Sequence, residues 1–453
     1  MNDGFLFGAR RFFDSRGYIA LVTLCLFLGH ATASEVPVAI ALTALTLLGF
    51  LVAESLRFLL PVLLGGVCIV SVAHTPYLPS ESDYFRTGAR PAIILIGSVL
   101  LFLGLLIFVL RRRHAAAPIA SLSLRWGFLS FFAALLFSGL GQENALRNLA
   151  FGAGIGASFL GVYLLFGLFH PKTRENAEHF MFVLLCVGVL VVGELFLLYL
   201  RSVRFSGGLP VKGSILIGWG TWTHIGAVLT MCLPAPFYLA RDAGRTYPLY
   251  LLAGGGITAA LLFSASRAAW LYGGVILSLS LLLLCLGGKN RKRSRLLVGL
   301  LLSGCILVFF LLLPRIVVFL RDFVGFGDGD NGRFALWQAA IDAFRTAPFF
   351  GKGFFNSGIT LPFPQILPYL YHNTVLQMLG SAGVVGLFLY LLHRAETVRL
   401  FWRRRHHALS LFLLLVPLAL VLMSLTDEHI FHIYPAFFYS IALSLSEGRY
   451  TPC

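Results

Sequence analysis

Charge is scarce in this 453-residue chain: Asp, Glu, Lys and Arg together make up 12%, about half of what a soluble domain carries. That shortage excludes a cytosolic enzyme, and with 58% hydrophobic residues it also excludes intrinsic disorder. Carboxylates are the scarcer sign, 19 against 35 basic residues. Cysteine is limited to seven residues with no CxxC pair; six sit inside apolar runs and Cys453 is terminal. A disulfide scaffold is thereby excluded, and filler is the reading for these thiols.

What the chain has in quantity is long apolar runs. Fourteen are of a length to cross a bilayer, near 18–34, 37–53, 58–74, 92–110, 124–140, 147–169, 178–200, 223–240, 247–264, 267–286, 296–313, 372–392, 408–425 and 434–446. The tightly joined pairs 18–34/37–53 and 247–264/267–286 read equally as re-entrant hairpins, which gives twelve spans. The fold expected is an all-α polytopic membrane protein, one integral membrane domain over 1–453 with 12–14 transmembrane helices.

The net charge of +16 would suggest nucleic acid in a soluble protein, but here it follows topology. With the N-terminus inside, 23 basic and 8 acidic residues lie on the cytoplasmic side, against 12 and 11 on the other. The positive-inside bias therefore sets both termini in the cytoplasm and implies no nucleic-acid partner. The first run has no cleavage site and reads as the first span.

Three external loops are long: 75–91, 201–222 and 314–371. In the last, Asp330 or Asn331 is expected to cap a helix beginning near Arg333. Phe334, Trp337, Ile341 and Phe344 recur at helical spacing opposite Gln338, Asp342 and Arg345, and Pro348 ends the pattern. Such a helix lies on the outer membrane surface or packs as a cap over the bundle.

Polar residues gather at the outer membrane interface: His372 and Arg267 at the starts of spans, Arg201, Arg204 and Lys212 in the second loop, Arg333 in the third, and His224 after Thr223. Singly, an interfacial Arg is a snorkelling anchor and a His at a helix start is a cap. Together, several cations and one titratable base fit an anionic substrate such as a lipid phosphate or diphosphate. Asp427-Glu428-His429-x-x-His432 has metal-like spacing but no second cluster, so acceptor contact or loop packing is expected instead. Glu194, about two turns below Arg201, either partners an arginine or is neutral and hydrogen-bonded.

Three segments resemble the O-antigen ligase and polymerase superfamily of bacterial polytopic glycosyltransferases. Ser264-Ala265-Ser266-Arg267-Ala268-Ala269-Trp270-Leu271 is similar to its S-x-S-R-x-x-W-L. Gly332-Arg333 with Trp337, Pro348, Gly351 and Gly353 is similar to its G-R-x-x-x-W and P-x-x-G-x-G. His372-Asn373-Thr374-Val375-Leu376-Gln377 with Gly383 and Gly386 is similar to its H-N-x-x-L-Q and G-x-x-G-L. The order and the long intervening loop match as well, over roughly 200–395. Ser381 stands where the family often has an acid, and Thr223-His224 where Asn residues are usual. Fourteen spans exceed the twelve typical of the ligases and lean toward a polymerase.

The resemblance implies transfer of a glycan from an undecaprenyl-diphosphate-linked donor to an acceptor hydroxyl, on lipid A-core for a ligase or on another lipid-linked repeat for a polymerase. It implies the periplasmic face of the inner membrane, no metal and no cofactor, and inversion at the anomeric carbon. In that reading His372 is the base, Arg267 the main diphosphate ligand and Arg204 a second, with Arg201 or Lys212 as its substitutes. Arg333 orders the loop or touches phosphate; Asn373, His224 and Glu194 support. A lipid transporter or flippase is the rival, but it predicts mid-depth polar residues and an internal repeat between halves, and no such repeat is visible.

Overall fold

The computed structural model describes residues 3–71, 90–210, 212–322, 332–356 and 368–450. The long loop's Pro-rich stretch, Asp330, Asn331 and most of the 75–91 loop lie outside them. Helices dominate and no strand is present among the described residues, as the apolar runs dictate: in hydrocarbon every backbone polar group must be satisfied within its own segment.

Each of the fourteen apolar runs forms a helix. Among the described residues seven helices are long and apolar enough to cross a membrane: Glu35–Val52, Pro91–Ala115, Ala145–Phe169, Arg174–Phe205, Trp222–Arg241, Arg267–Leu286 and Thr374–Arg404. A bent pair, Phe7–Phe13 with Arg16–Ala31, turns by 60° at Ser15, whose hydroxyl accepts from the Tyr18 amide. Shorter apolar helices cover Leu56–Ile69, Arg125–Leu136, Tyr247–Phe263, Ala408–Met423 and Ile433–Ser446, and a further helix runs Arg291–Asp322. The protein is a polytopic all-α membrane protein.

The chain forms two compact units: residues 1–117 with 168–324, and residues 118–167 with 325–453. In the first unit glycines let helices approach closely; a methyl at Gly188 would fall 2.6 Å from Ile257. Leu95 and Phe102 on Arg90–Arg112 are exposed, as a lipid-facing surface requires. In the second unit, Phe128 and Tyr163 stack with ring centroids 4.1 Å apart, and His393 stacks on Phe131.

Two loop boundaries differ from the expectation. The helix Arg174–Ser206 carries Arg201 and Arg204 in its last turns, so neither is in a loop. The helix Arg291–Asp322 runs through Pro314, so the long loop starts after residue 322. Hydropathy marks where the bilayer ends; a helix that closes its own hydrogen bonds can continue beyond it.

Candidate active site

The second unit's helices are labelled α1 (Arg125–Leu136), α2 (Ala145–Phe169), α3 (Arg333–Thr346), α4 (Thr374–Arg404), α5 (Ala408–Met423) and α6 (Ile433–Ser446). Asn373 caps α4: its Oδ1 accepts from the Leu376 amide at 3.0 Å and its Nδ2 donates to the Leu425 carbonyl at 2.8 Å. Thr374 donates to the Ser424 carbonyl through both its amide and its hydroxyl. These bonds tie the start of α4 to the loop between α5 and α6.

His372 precedes the cap with φ +52°, a left-handed conformation uncommon for a residue with a side chain. Its Nδ1 lies 2.8 Å from Asp427 Oδ1 and 2.6 Å from Glu428 Oε2. The Glu428 amide donates to Asp427 Oδ1, which fixes the loop turn. Asp427 is buried, while the imidazole is 37% exposed. Hydrogen bonds to Asp427 and Glu428 outweigh burial and push the His372 pKa up to about 10. Burial opposes the Asp427 charge, but His429, Glu428 and His372 hold its carboxyl well below the usual range. Burial and the neighbouring Asp427 raise Glu428. His429 Nε2 is 3.7 Å from Asp427 Oδ2, and burial lowers the pKa of both His429 and His432.

One imidazole nitrogen and two carboxylates thus lie within 4.8 Å of one another. This donor set is able to hold a divalent cation; it is equally complete as an ion-paired base. Sequence spacing grouped the two acids with His429 and His432, whereas the fold joins them to His372, 55 residues away.

The glycine motif has a mechanical task. After α3 the strap Phe349–Phe355 runs against α4 where Gly383 (φ +65°) breaks the helix: Gly353 donates to the Ser381 carbonyl at 2.9 Å and Val384 to the Pro348 carbonyl at 2.8 Å. A methyl on Gly351 would fall 2.3 Å from the Ser381 carbonyl carbon. Ser381 is buried and its hydroxyl accepts from Gln377, whose Oε1 takes the Tyr371 amide. An acid's place is thus filled by a residue that braces the histidine's neighbour.

Helix α3 forms as expected, but its N-cap is Gly332 (φ +76°). Its buried face is Ala339, Ala340 and Ala343, packed with Tyr371, while Phe334 stays exposed. Arg333 opens this helix and is half-buried.

The remaining predicted residues lie in the first unit. Ser266 caps the helix Arg267–Leu286 by accepting from Ala269, so Arg267 is that helix's first residue, after Ala265 at φ +54°. Arg201 donates to the Ala31 carbonyl at 2.7 Å, and the Arg204 guanidinium lies over the Phe205 ring. Lys212 opens a short 3-10 turn. His224 Nδ1 bonds the Thr221 hydroxyl at 2.9 Å, side chain to side chain at the start of the helix Trp222–Cys232. Glu194 is fully buried; its partners are Trp219, whose indole donates at 2.8 Å, and His30 at 3.9 Å, in place of an arginine.

The family model for the O-antigen ligase matches residues 251–391. This stretch is an O-antigen ligase domain by similarity and supports the O-antigen ligase superfamily for the chain. The ligase domain runs from the helix Tyr247–Phe263 across Arg267 and Arg333 to His372 and most of α4. Asp427, Glu428, Arg201, Arg204 and Lys212 lie outside the matched stretch. No curated protein matches the chain. The family's activity is of ligase or polymerase type, a glycosyl transfer between a lipid-linked glycan and a glycan acceptor.

Proposed function

We propose that the protein is an O-antigen ligase: it transfers a glycan from undecaprenyl diphosphate to a hydroxyl of lipid A-core at the periplasmic face of the inner membrane, without a metal and with inversion. The observation that carries this reading is His372, inside the family's matched stretch and held through Nδ1 by two carboxylates from beyond it. The held nitrogen leaves Nε2 for the acceptor hydroxyl. That oxygen attacks the anomeric carbon, the bond to the diphosphate oxygen breaks with its electron pair, and Nε2 takes the hydroxyl proton. Asp427 and Glu428 stabilise the imidazolium so formed, the role a carboxylate plays beside any histidine base.

The departing diphosphate needs fixed positive charge rather than a proton. Arg267 is proposed as its main ligand and Arg204 as the second, with Arg201 or Lys212 as substitutes; guanidinium groups stay cationic and grip phosphate bidentately. Arg201 already donates to Ala31 and Arg204 lies on Phe205, so each has a structural tie beside its proposed task. Arg333 orders the loop and adds a contact to phosphate. Asn373 fixes the backbone of His372, and His224 and Glu194 shape the segment around Trp219.

The test is transfer in proteoliposomes supplied with the lipid-linked repeat and lipid A-core. His372→Ala is expected to lower the rate at least ~100-fold, the usual contribution of a positioned base; unchanged transfer would remove the catalytic assignment. Arg267→Lys is expected to lose most activity, and full retention would overturn the bidentate argument. The polymerase reading rests on the same motifs and the same lipid-linked donor. Chain growth from the lipid-linked repeat alone would replace the ligase with it.

A further inference from the structure

We infer that the groove between α4 and α5 is a binding site for an anionic phospholipid, with Arg394 as its headgroup ligand. The groove encloses about 290 Å³ and is apolar, walled by Val398 and Phe401 of α4 and by Leu414, Leu418 and Val421 of α5. Val398 is 63% exposed, so the groove opens on the surface that faces lipid. Arg394 is the one charged residue lining it.

Arg394 lies over Tyr390 and Tyr439, with its guanidinium carbon 4.8 and 5.2 Å from the ring centroids. Its Nε and Nη2 are buried and make no hydrogen bond among the described residues. Two buried guanidinium nitrogens left without partners, beside the one that bonds Tyr439, call for an anion. Its depth says which kind. Arg394 follows the start of α4 by about 20 residues, at most about 30 Å given the break at Gly383, which is comparable to the thickness of the hydrocarbon core. It therefore reaches the interface opposite His372, where lipid phosphates lie. Arg399, Arg403 and Arg404 follow on the same helix, with Arg405 at its C-cap, and add positive potential. A basic pocket between spanning helices beside an acyl-wide apolar groove matches a phosphate with its chain attached.

The experiment is native mass spectrometry of the full chain in detergent, with dioleoyl phosphatidylglycerol or dioleoyl phosphatidylcholine added. The anionic lipid is expected to be retained several-fold more than the zwitterionic one. Arg394→Gln is expected to equalise the two. Val398→Trp and Leu418→Trp, on exposed positions that leave the fold intact, are expected to fill the groove and lose both lipids. Equal retention by the native chain overturns the site. So does a preference that survives Arg394→Gln and vanishes in Arg403→Gln/Arg404→Gln/Arg405→Gln, since the headgroup would then sit on the helix end. A dimer that Leu418→Trp splits, with no lipid retained, assigns the groove to a second copy instead.

Discussion

His372 carries two opposed pH dependences, and both follow from one pair of carboxylates. Its pKa is raised from 6.5 to about 10, so the imidazolium pair stabilises the folded state fully below the unfolded value. That contribution fades as pH rises through the folded value. The melting-temperature difference between the native chain and His372→Gln is therefore expected to shrink between pH 6.5 and 10, as differential scanning fluorimetry reads it. Transfer runs the other way. The neutral imidazole is the base, so initial rates are expected to climb from pH 6.5 to 9. Glu428→Gln removes one of the two partners that raise the histidine, and the climbing limb is expected to move to lower pH. A rate profile identical to that of the native chain would show that Glu428 does not act on His372. The motif histidine and its neighbour Asn373 were legible in the chain. The carboxylates that govern it were not, because a loop closed by Thr374 and Ser424 brings them across 55 residues.

The strap after α3 shows what periodicity conveys about an element and what it leaves out. Helical spacing located α3, and the aromatic stripe suggested its working face. The packed face is alanine instead, because small side chains let a helix lie close to Tyr371. The glycines of the strap were visible as a motif, yet their partner Asn148 on α2 was not. A methyl on Gly353 would sit 2.0 Å from Asn148 Nδ2, and φ is already +83°. Asn148 is fully buried, and its Oδ1 holds the Phe355 amide, so it has no free direction in which to move. Gly353→Ala is expected to cost about 1–3 kcal/mol from overpacking, with on the order of 1 kcal/mol more for the left-handed backbone. Gly141 separates the two effects: its φ is +81° with nothing within 4 Å of an added methyl. Gly141→Ala should show the backbone cost alone. Equal shifts in melting temperature for the two variants would mean that the strap is not locked against Asn148.

For the whole molecule, hydropathy made the helices legible because length and composition suffice to mark a segment that must satisfy its own backbone. Its division into two compact units was not legible, since units are defined by which helices pack together, and apolar faces look alike in a chain made of them. Orientation rests on charge. The proposed arrangement leaves an excess of 15 positive charges on the cytoplasmic side and 1 on the other. Turning the protein over would move nearly all of that excess across the membrane, against the bias that sets topology. Alkaline phosphatase fused after Lys289 or Arg405 is therefore expected to be inactive, because the enzyme folds only where disulfides form. Fused after Glu428 it is expected to be active, on the side that holds His372. The lipid site adds an internal check, since Arg394 and the run Arg403 to Arg405 must share the side where phosphatase is silent. Activity at Lys289 with none at Glu428 would invert the molecule, place the histidine in the cytoplasm and end the periplasmic ligase reading, however well the motifs match.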